Sequence, residues 1–296
     1  MATTYNNLFL DTRARLKKAG VESAQLEARE IICFAADKSR EQFYRDMSLY
    51  VGGAMEQRVE ELVQRRLAGE PVAYIIGEWE FYGLTLDVCR DVLIPRPDTE
   101  TLVERGILFV RDLPDGTRVL DLCAGSGCVG LAVADNCPNT RVFLAEWWSD
   151  ALRVCRQNIL RCGLSQQATA VQADALEPPP RILRDFDLIL CNPPYIPTLE
   201  IGRLDPSVRD YEPRMALDGG EDGLKFYRAI ARKWKRALKG GGKLAFEVGY
   251  DQAPAVEYIL AENGYTDIQT TMDPGMHWRV VEGSAEDSRA GELGAE

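Results

Sequence analysis

The chain of 296 residues has no run of eighteen or more apolar residues, which removes a membrane-spanning helix from consideration. Its start, Met1-Ala2-Thr3-Thr4-Tyr5-Asn6-Asn7, lacks the basic-then-apolar pattern of a secretory signal. A soluble protein that stays in the cytoplasm, with no membrane partner, is the expectation. The eight cysteines contain no C-x-x-C pair, and most sit in apolar segments where a thiol packs as a small hydrophobe, so free thiols in a reducing compartment are expected. There is one histidine, His277, in Met276-His277-Trp278-Arg279 with no companion ligands, and no metal site is expected. Positive charge is scarce too: 35 Lys+Arg stand against 46 Asp+Glu, a formal net charge of −11. Nucleic-acid affinity is dominated by phosphate neutralisation, so this acidity argues against a direct nucleic-acid substrate.

What is present describes a folded enzyme. The length exceeds one ordinary compact domain, and 46% hydrophobic with 27% charged residues is a globular composition. Residues 1–70 carry eleven basic and eleven acidic residues, so the imbalance lies in the rest of the chain. Helical spacing runs through residues 8–68, as in Met55, Val59, Leu62, Val63 and Leu67, and predicts a small bundle. From Tyr74 to Val88 a rough alternation of Trp79, Phe81, Leu84, Leu86 and Val88, broken by Gly83, predicts a hairpin. Leu93-Ile94-Pro95-Arg96-Pro97-Asp98-Thr99-Glu100 follows as a stiff extended segment, with Asp98 or Thr99 placed to cap a helix over Glu100 to Val110. Beyond Gly116, short apolar strands (118–122, 141–145, 168–173, 187–191 and 243–248) alternate with helices, the signature of an α/β domain with a mostly parallel sheet. The expected division is 1–70 for the bundle, 71–98 for a hairpin linker, 99–282 for the α/β domain, and 283–296 for a disordered acidic tail.

Two segments of the α/β half carry chemistry. Val119-Leu120-Asp121-Leu122 leads into Cys123-Ala124-Gly125-Ser126-Gly127 and a helix over Val129 to Ala134, and Gly125, Gly127 and Gly130 complete a G-x-G-x-x-G spacing. Such a turn at the carboxyl end of a strand lets the backbone approach a nucleoside ligand closely. Glu146 ends the second strand about twenty residues on, where a carboxylate grips ribose hydroxyls. Asp174, ending the third, can accept from an adenine amino group. The turn by itself does not separate dinucleotides from other nucleosides. The second segment narrows it: Asn192-Pro193-Pro194-Tyr195 directly follows the apolar run to Cys191. The Asn192 side-chain carbonyl and the Pro193 main-chain carbonyl can each accept one N–H of a planar NH2 group, the prolines stiffen the loop, and Tyr195 offers a ring for stacking. Holding an amide nitrogen in line with a sulfonium methyl is chemistry that needs no metal, thiolate or histidine base.

Asn-Pro-Pro-Tyr serves enzymes that methylate adenine amines and enzymes that methylate glutamine amides, and other segments discriminate between them. Gly69-Glu70-Pro71-Val72-Ala73-Tyr74-Ile75-Ile76-Gly77, Glu80-Phe81-Tyr82-Gly83-Leu84, the Leu93 to Glu100 segment, and Glu212 to Leu224 resemble the release-factor glutamine methyltransferases of the PrmC/HemK type. The resemblance covers residues 5–282. It implies a Rossmann-like seven-stranded S-adenosylmethionine-dependent methyltransferase domain, preceded by a helical substrate-binding domain and a β-hairpin linker. It further implies S-adenosyl-L-methionine as donor, S-adenosyl-L-homocysteine as product, and the Gly-Gly-Gln glutamine of class-one peptide release factors as acceptor. A ribosomal-protein glutamine and a nucleic-acid adenine remain as alternative acceptors. Carried over by position, Cys123, Ala124, Gly125, Ser126, Gly127, Glu146, Asp174, Ala175 and Asn192 hold the donor, and Asn192, Pro193, Pro194 and Tyr195 hold the glutamine. The chain departs from the pattern at Cys123-Ala124, where Gly-Thr is usual, at Glu146, where Asp is common, and at Ala175, where an aromatic ring is frequent. Trp147 or Trp148 then becomes the candidate surface for the adenine.

Overall fold

The computed structural model describes residues 3–286, and the chain divides into two compact units. One runs to Glu78 and includes the returning segment Asp205–Tyr211; the other holds Trp79–Leu204 and the chain from Glu212 onward.

The first unit is helical: α1 (Tyr5–Lys18), α2 (Ala24–Ala36), α3 (Arg40–Arg45), α4 (Gly53–Leu67) and α5 (Val72–Ile76). Leu16, Ile31, Ile32, Phe43 and Val63 are fully buried, as their helical spacing requires. Ser39 and Gln42 form a reciprocal capping box at the start of α3, satisfying two otherwise orphaned backbone donors. Tyr211 donates its hydroxyl to the Ala68 carbonyl at 3.1 Å and so ties the returning segment down.

The hairpin begins later than its alternation suggests. Tyr74, Ile75 and Ile76 belong to α5, which Gly77 ends at φ 86°, and the strands are β1 (Glu78–Phe81) and β2 (Leu84–Asp87). Tyr82 and Gly83 both take positive φ, as a two-residue type I′ turn demands. A run of five apolar residues cannot by itself distinguish one helical turn from a short strand. The hairpin also packs as part of the second unit: Phe81 and Leu86 are buried in one cluster with Leu102, Val103 and Leu131.

The rest of the second unit follows the order α6 (Glu100–Val110), β3 (Arg118–Leu122), α7 (Cys128–Asn136), β4 (Arg141–Glu146), α8 (Ser149–Arg161), β5 (Ala168–Gln172) and β6 (Phe186–Cys191). The four-residue α9 (Pro206–Arg209) lies in the segment of the first unit. Then come α10 (Lys225–Lys233), β7 (Leu238–Glu247), α11 (Ala253–Glu262), β8 (Tyr265–Met272) and β9 (Trp278–Ala285). The seven-stranded sheet has the order β5-β4-β3-β6-β7-β9-β8; β9 is antiparallel to both its neighbours and the other pairings are parallel. This is the Rossmann-like methyltransferase fold, with one apolar cluster holding Tyr227, Trp234 and Phe246 and the other Leu102, Leu131 and Leu190. β8 and β9 escape the sequence reading because their exposed faces carry Thr, Asp, Gln and Trp rather than a continuous apolar run.

Gly283, Ser284 and Ala285 are a correction to the expected tail: they complete β9, opposite Leu244, Lys243 and Tyr265 respectively. Small residues suit that position, since a Cβ on Gly283 would come within 3.1 Å of Tyr265 Cβ. Glu286 follows the strand without regular structure, and residues 287–296 of the expected tail lie outside the described residues. Among the described residues no helix is long and apolar enough to cross a membrane.

The strand order reverses at β3. The chain winds outward through β4 and β5 on one side, then returns to place β6 and β7 on the other. Loops leaving β3 and β6 therefore part in opposite directions and open a crevice at the carboxyl ends, where ligands of this fold class bind. The Cys123 turn leaves β3 and the Asn192 loop leaves β6.

Candidate functional site

Because β3 and β6 are hydrogen-bonded neighbours, with Leu122 opposite Cys191, the two motifs begin side by side. Between them lies a cavity of about 410 Å³, within the roughly 300–1,000 Å³ of small-molecule sites. Cys123, Ala124, Gly125 and Ser126 form one wall, and Glu146, Trp147 and Trp148 lie beyond them. Asp174, Ala175 and Leu176 line another part, and Asn192 and Pro194 reach in from β6.

The glycine turn is built for close backbone approach. Gly125 and Gly127 take φ of 54° and 85°, and a Cβ at Gly125 would meet nothing within 4 Å, so the turn faces open space. Gly130 serves packing instead: a Cβ there would lie 2.3 Å from Leu144 Cδ2 and 2.9 Å from Asp121 Cβ. Cys123 also takes positive φ, 65°, a region that costs a side-chain-bearing residue about 1–2 kcal/mol.

Glu146 is tied to the turn before any ligand is considered. Its Oε2 accepts from Gly125 N at 3.0 Å and its Oε1 from Trp148 N at 2.9 Å. Burial raises its pKa, and those backbone N–H groups work against the rise. A carboxylate offers about four lone-pair sites, so two bonds leave acceptor capacity for a diol. Asp174 Oδ1 accepts from Leu176 N at 2.8 Å and fixes the next turn.

Asp121 lies beneath the turn, fully buried, with Oδ2 accepting from Gly130 N at 2.8 Å. Burial pushes its pKa up to about 7, and the nearby Glu146 charge adds to that. A carboxyl raised in this way favours the folded state below its ordinary pKa, and the advantage is lost as pH climbs through about 7. Asp121→Asn is therefore expected to raise the melting temperature by a few degrees at pH 8 and to lose that gain near pH 4, measured by calorimetry across pH.

The acceptor loop is held from behind by a segment that sequence motifs did not mark as its support. Ile196 N donates to Leu217 O and Gly219 N to Ile196 O, each at 2.9 Å, and Gln252 Nε2 donates to the Tyr195 carbonyl at 2.9 Å. A Cβ on Gly219 would sit 2.7 Å from Tyr195 Cα, and one on Gly223 would sit 2.3 Å from Tyr195 O. The glycines of Gly219-Gly220-Glu221-Asp222-Gly223 are what allow the two backbones to meet.

Three expected site residues do not line the cavity. Gly127 is the N-cap of α7, while Pro193 and Tyr195 lie behind its wall. Tyr195 packs against the core cluster, and burial pushes its pKa up to about 12, with Glu247 adding to the effect. The stacking surface expected from its ring is thus absent from the cavity, and the residue anchors the loop instead. Asn192 does face the cavity, and its Nδ2 donates to Thr99 Oγ1 at 3.3 Å. Thr99 forms no cap hydrogen bond with α6, contrary to the sequence expectation; its hydroxyl is turned into the site. Asp98 instead pairs with Arg279 at 3.1 Å.

Residues 7–77 match the family described as PrmC N-terminal domain, and residues 104–202 match the one described as methyltransferase small domain. The release factor glutamine methyltransferase of Caulobacter vibrioides is 37% identical over 286 residues, spanning 96% of this chain and 97% of that protein. That of Geobacter sulfurreducens is 39% identical over 274 residues, with 92% and 93% covered. A methyltransferase structure from Pyrococcus furiosus aligns with a TM-score of 0.50 at 17% identity, over 78% of this chain and 98% of that one, a likeness of fold.

Proposed function

The chain belongs to the release factor glutamine methyltransferase family, and from that premise we propose that it methylates the side-chain amide of the Gly-Gly-Gln glutamine in class-one peptide release factors, with S-adenosylmethionine as donor. The observation that carries the reading is the position of Asn192: it shares one cavity with the glycine turn and Glu146, and its amide nitrogen is already committed to Thr99.

The cavity suits such a donor. An open glycine turn meets a carboxylate with spare lone pairs, and the small side chains of Ala173 and Ala175 leave room beside Phe226 for a flat base. Bound there, S-adenosylmethionine supplies a methyl group on a positively charged sulfur and leaves as S-adenosylhomocysteine. Cys123 to Gly127 would lie against it through their backbone, Glu146 would accept from the ribose hydroxyls, and Asp174 from the adenine amino group.

The acceptor amide is a weak nucleophile because its lone pair is delocalised into its carbonyl. With Nδ2 directed to Thr99, Asn192 Oδ1 is left to accept one N–H of the substrate. An acceptor on the NH2 group orients it and pushes electron density toward nitrogen, which prepares it for an in-line approach to the methyl. The nitrogen sheds one proton as the N-methylamide forms. Pro194, in the wall, holds the loop against loss of that geometry.

Incubating the chain with labelled S-adenosylmethionine and, separately, a release factor, ribosomal proteins and DNA is expected to label the release-factor glutamine. Label confined to a ribosomal protein or to DNA would overturn the acceptor assignment. For the donor, Glu146→Ala is expected to weaken binding by about 1–3 kcal/mol, the scale of hydrogen bonds to a charged group, read by titration calorimetry. An unchanged Kd would move the ribose contact to another carboxylate such as Asp174.

A further inference from the structure

Glu247 ends β7, and its neighbour Phe246 pairs with Cys191, so Glu247 and Asn192 leave adjacent parallel strands together. It is buried, and its Oε2 has no hydrogen-bond partner among the described residues. Such a group costs stability, and an apolar residue of similar shape would serve the core better. The charged groups around it do not neutralise it directly. Arg279 donates to Asp273 at 3.1 Å and to the Val248 carbonyl at 3.3 Å, and pairs with Asp98 at 3.1 Å; Arg96 pairs with Glu212. Tyr227 donates to the Glu247 main-chain carbonyl at 3.0 Å, leaving the side chain untouched. Thr99, whose hydroxyl accepts from Asn192, acts to lower the pKa of this carboxyl, although no hydrogen bond joins the two in the structure.

Resting on the acceptor reading above, we propose that Glu247 and Thr99 are positioning residues that set the polarity of Asn192: Glu247 takes the Thr99 hydroxyl proton, so that Thr99 accepts from Asn192 Nδ2 and Oδ1 is turned to the substrate amide. A threonine hydroxyl has one proton and two lone pairs. If that proton points at Glu247, Thr99 has only an acceptor to offer Asn192. An asparagine amide can turn over with little change in shape, exchanging its donor for its acceptor. The turned-over Asn192 would present N–H to N–H and lose the substrate contact. The direction of this three-residue chain therefore depends on whether Glu247 is ionised. Burial holds its pKa near 7, up from the ordinary carboxyl range, while Thr99, Arg279 and Arg96 act to lower it and Asp98 to raise it. Below about 7 a protonated Glu247 can donate to Thr99, which then donates onward to Asn192 Oδ1, reversing the chain.

Two measurements on the full chain test this. In the first, without substrate, the Glu247 carboxyl and the Asn192 side-chain amide are followed by NMR across pH. Both are expected to shift with one midpoint near 7; in Thr99→Val the Asn192 response should vanish while Glu247 still titrates. An Asn192 amide indifferent to pH in the unsubstituted protein would overturn the proposal. In the second, kcat with release factor is expected to rise through neutral pH, and Glu247→Gln to lower kcat at pH 8 by roughly tenfold to a hundredfold, leaving donor Kd unchanged and removing the neutral limb. The same variant should melt higher at pH 8, since the unpaired buried charge is gone, so a loss of kcat there is not a loss of fold. Thr99→Ser, which keeps the hydroxyl, should restore most of kcat and the pH limb. Full kcat in both Thr99→Val and Glu247→Gln would also overturn it. Failure of the unsubstituted chain to methylate release factor would instead strike the acceptor reading, and the substrate-free NMR arm keeps the two failures apart.

Discussion

Asn192→Ala is expected to lower kcat for release-factor methylation by at least about 10²–10³-fold, the scale for losing one preorganised contact to the reacting group. Donor affinity should stay within roughly tenfold, because the glycine turn, Glu146 and the Asp174 segment hold their places without it. The reason for so unequal a split is geometric. Asn192 stands at the end of β6, a strand whose residues Leu188 to Cys191 are buried, so its backbone cannot drift to compensate. Alanine removes the only side-chain acceptor that Asn192 offers and leaves the Thr99 hydroxyl facing the gap. Single-turnover kinetics with saturating donor and titration of the donor alone separate the two effects. Near-normal turnover would place the acceptor site elsewhere in the cavity.

Gly219→Ala is expected to cut kcat by about a hundredfold, through displacement of the acceptor loop by a few tenths of an ångström to an ångström. Its φ is not in the left-handed region, so alanine is free of backbone strain there, and the effect isolates space alone. The added Cβ would stand 2.7 Å from Tyr195 Cα and 2.8 Å from Tyr195 C, both backbone atoms of the loop that starts at Asn192. Neither can rotate away as the end of a side chain would. Donor binding, served by the β3 and β4 ends, should be nearly unchanged. Measured kcat and donor Kd decide it: equal losses in both would mean that the substitution unfolds the unit, and no loss would mean that the loop tolerates movement.

The parts of the site that lie in one stretch of chain were legible before any fold was known. A turn whose glycines need positive φ, a proline-stiffened asparagine after a buried strand, and an acidic residue at a strand end each carry their chemistry in residue type and spacing. Gly125, Glu146 and Asn192, which line one cavity, were singled out that way, and the same strand-end signal was there for Glu247, which follows Leu244-Ala245-Phe246. It passed unnoticed because an acidic residue after an apolar run is also an ordinary solvated strand end. Spacing gives no measure of burial.

The sequence by itself determined the alternation of helices and strands from β3 to β7, the rigid acceptor loop and the nucleoside-type turn, because each is set by local sterics and periodicity. Tertiary structure decided which groups meet. It brought Thr99, from the segment before α6, onto Asn192, set Gly219 against the back of Tyr195, and packed Tyr195, partly buried, against the core. It also absorbed Gly283 to Ala285 into β9, where pairing with β7 and β8 supplies the hydrogen bonds and burial that their small side chains could not signal. These outcomes depend on residues far apart in the chain sharing one low-dielectric space, where a single hydroxyl proton or the absence of one Cβ settles an orientation that residue type alone leaves open.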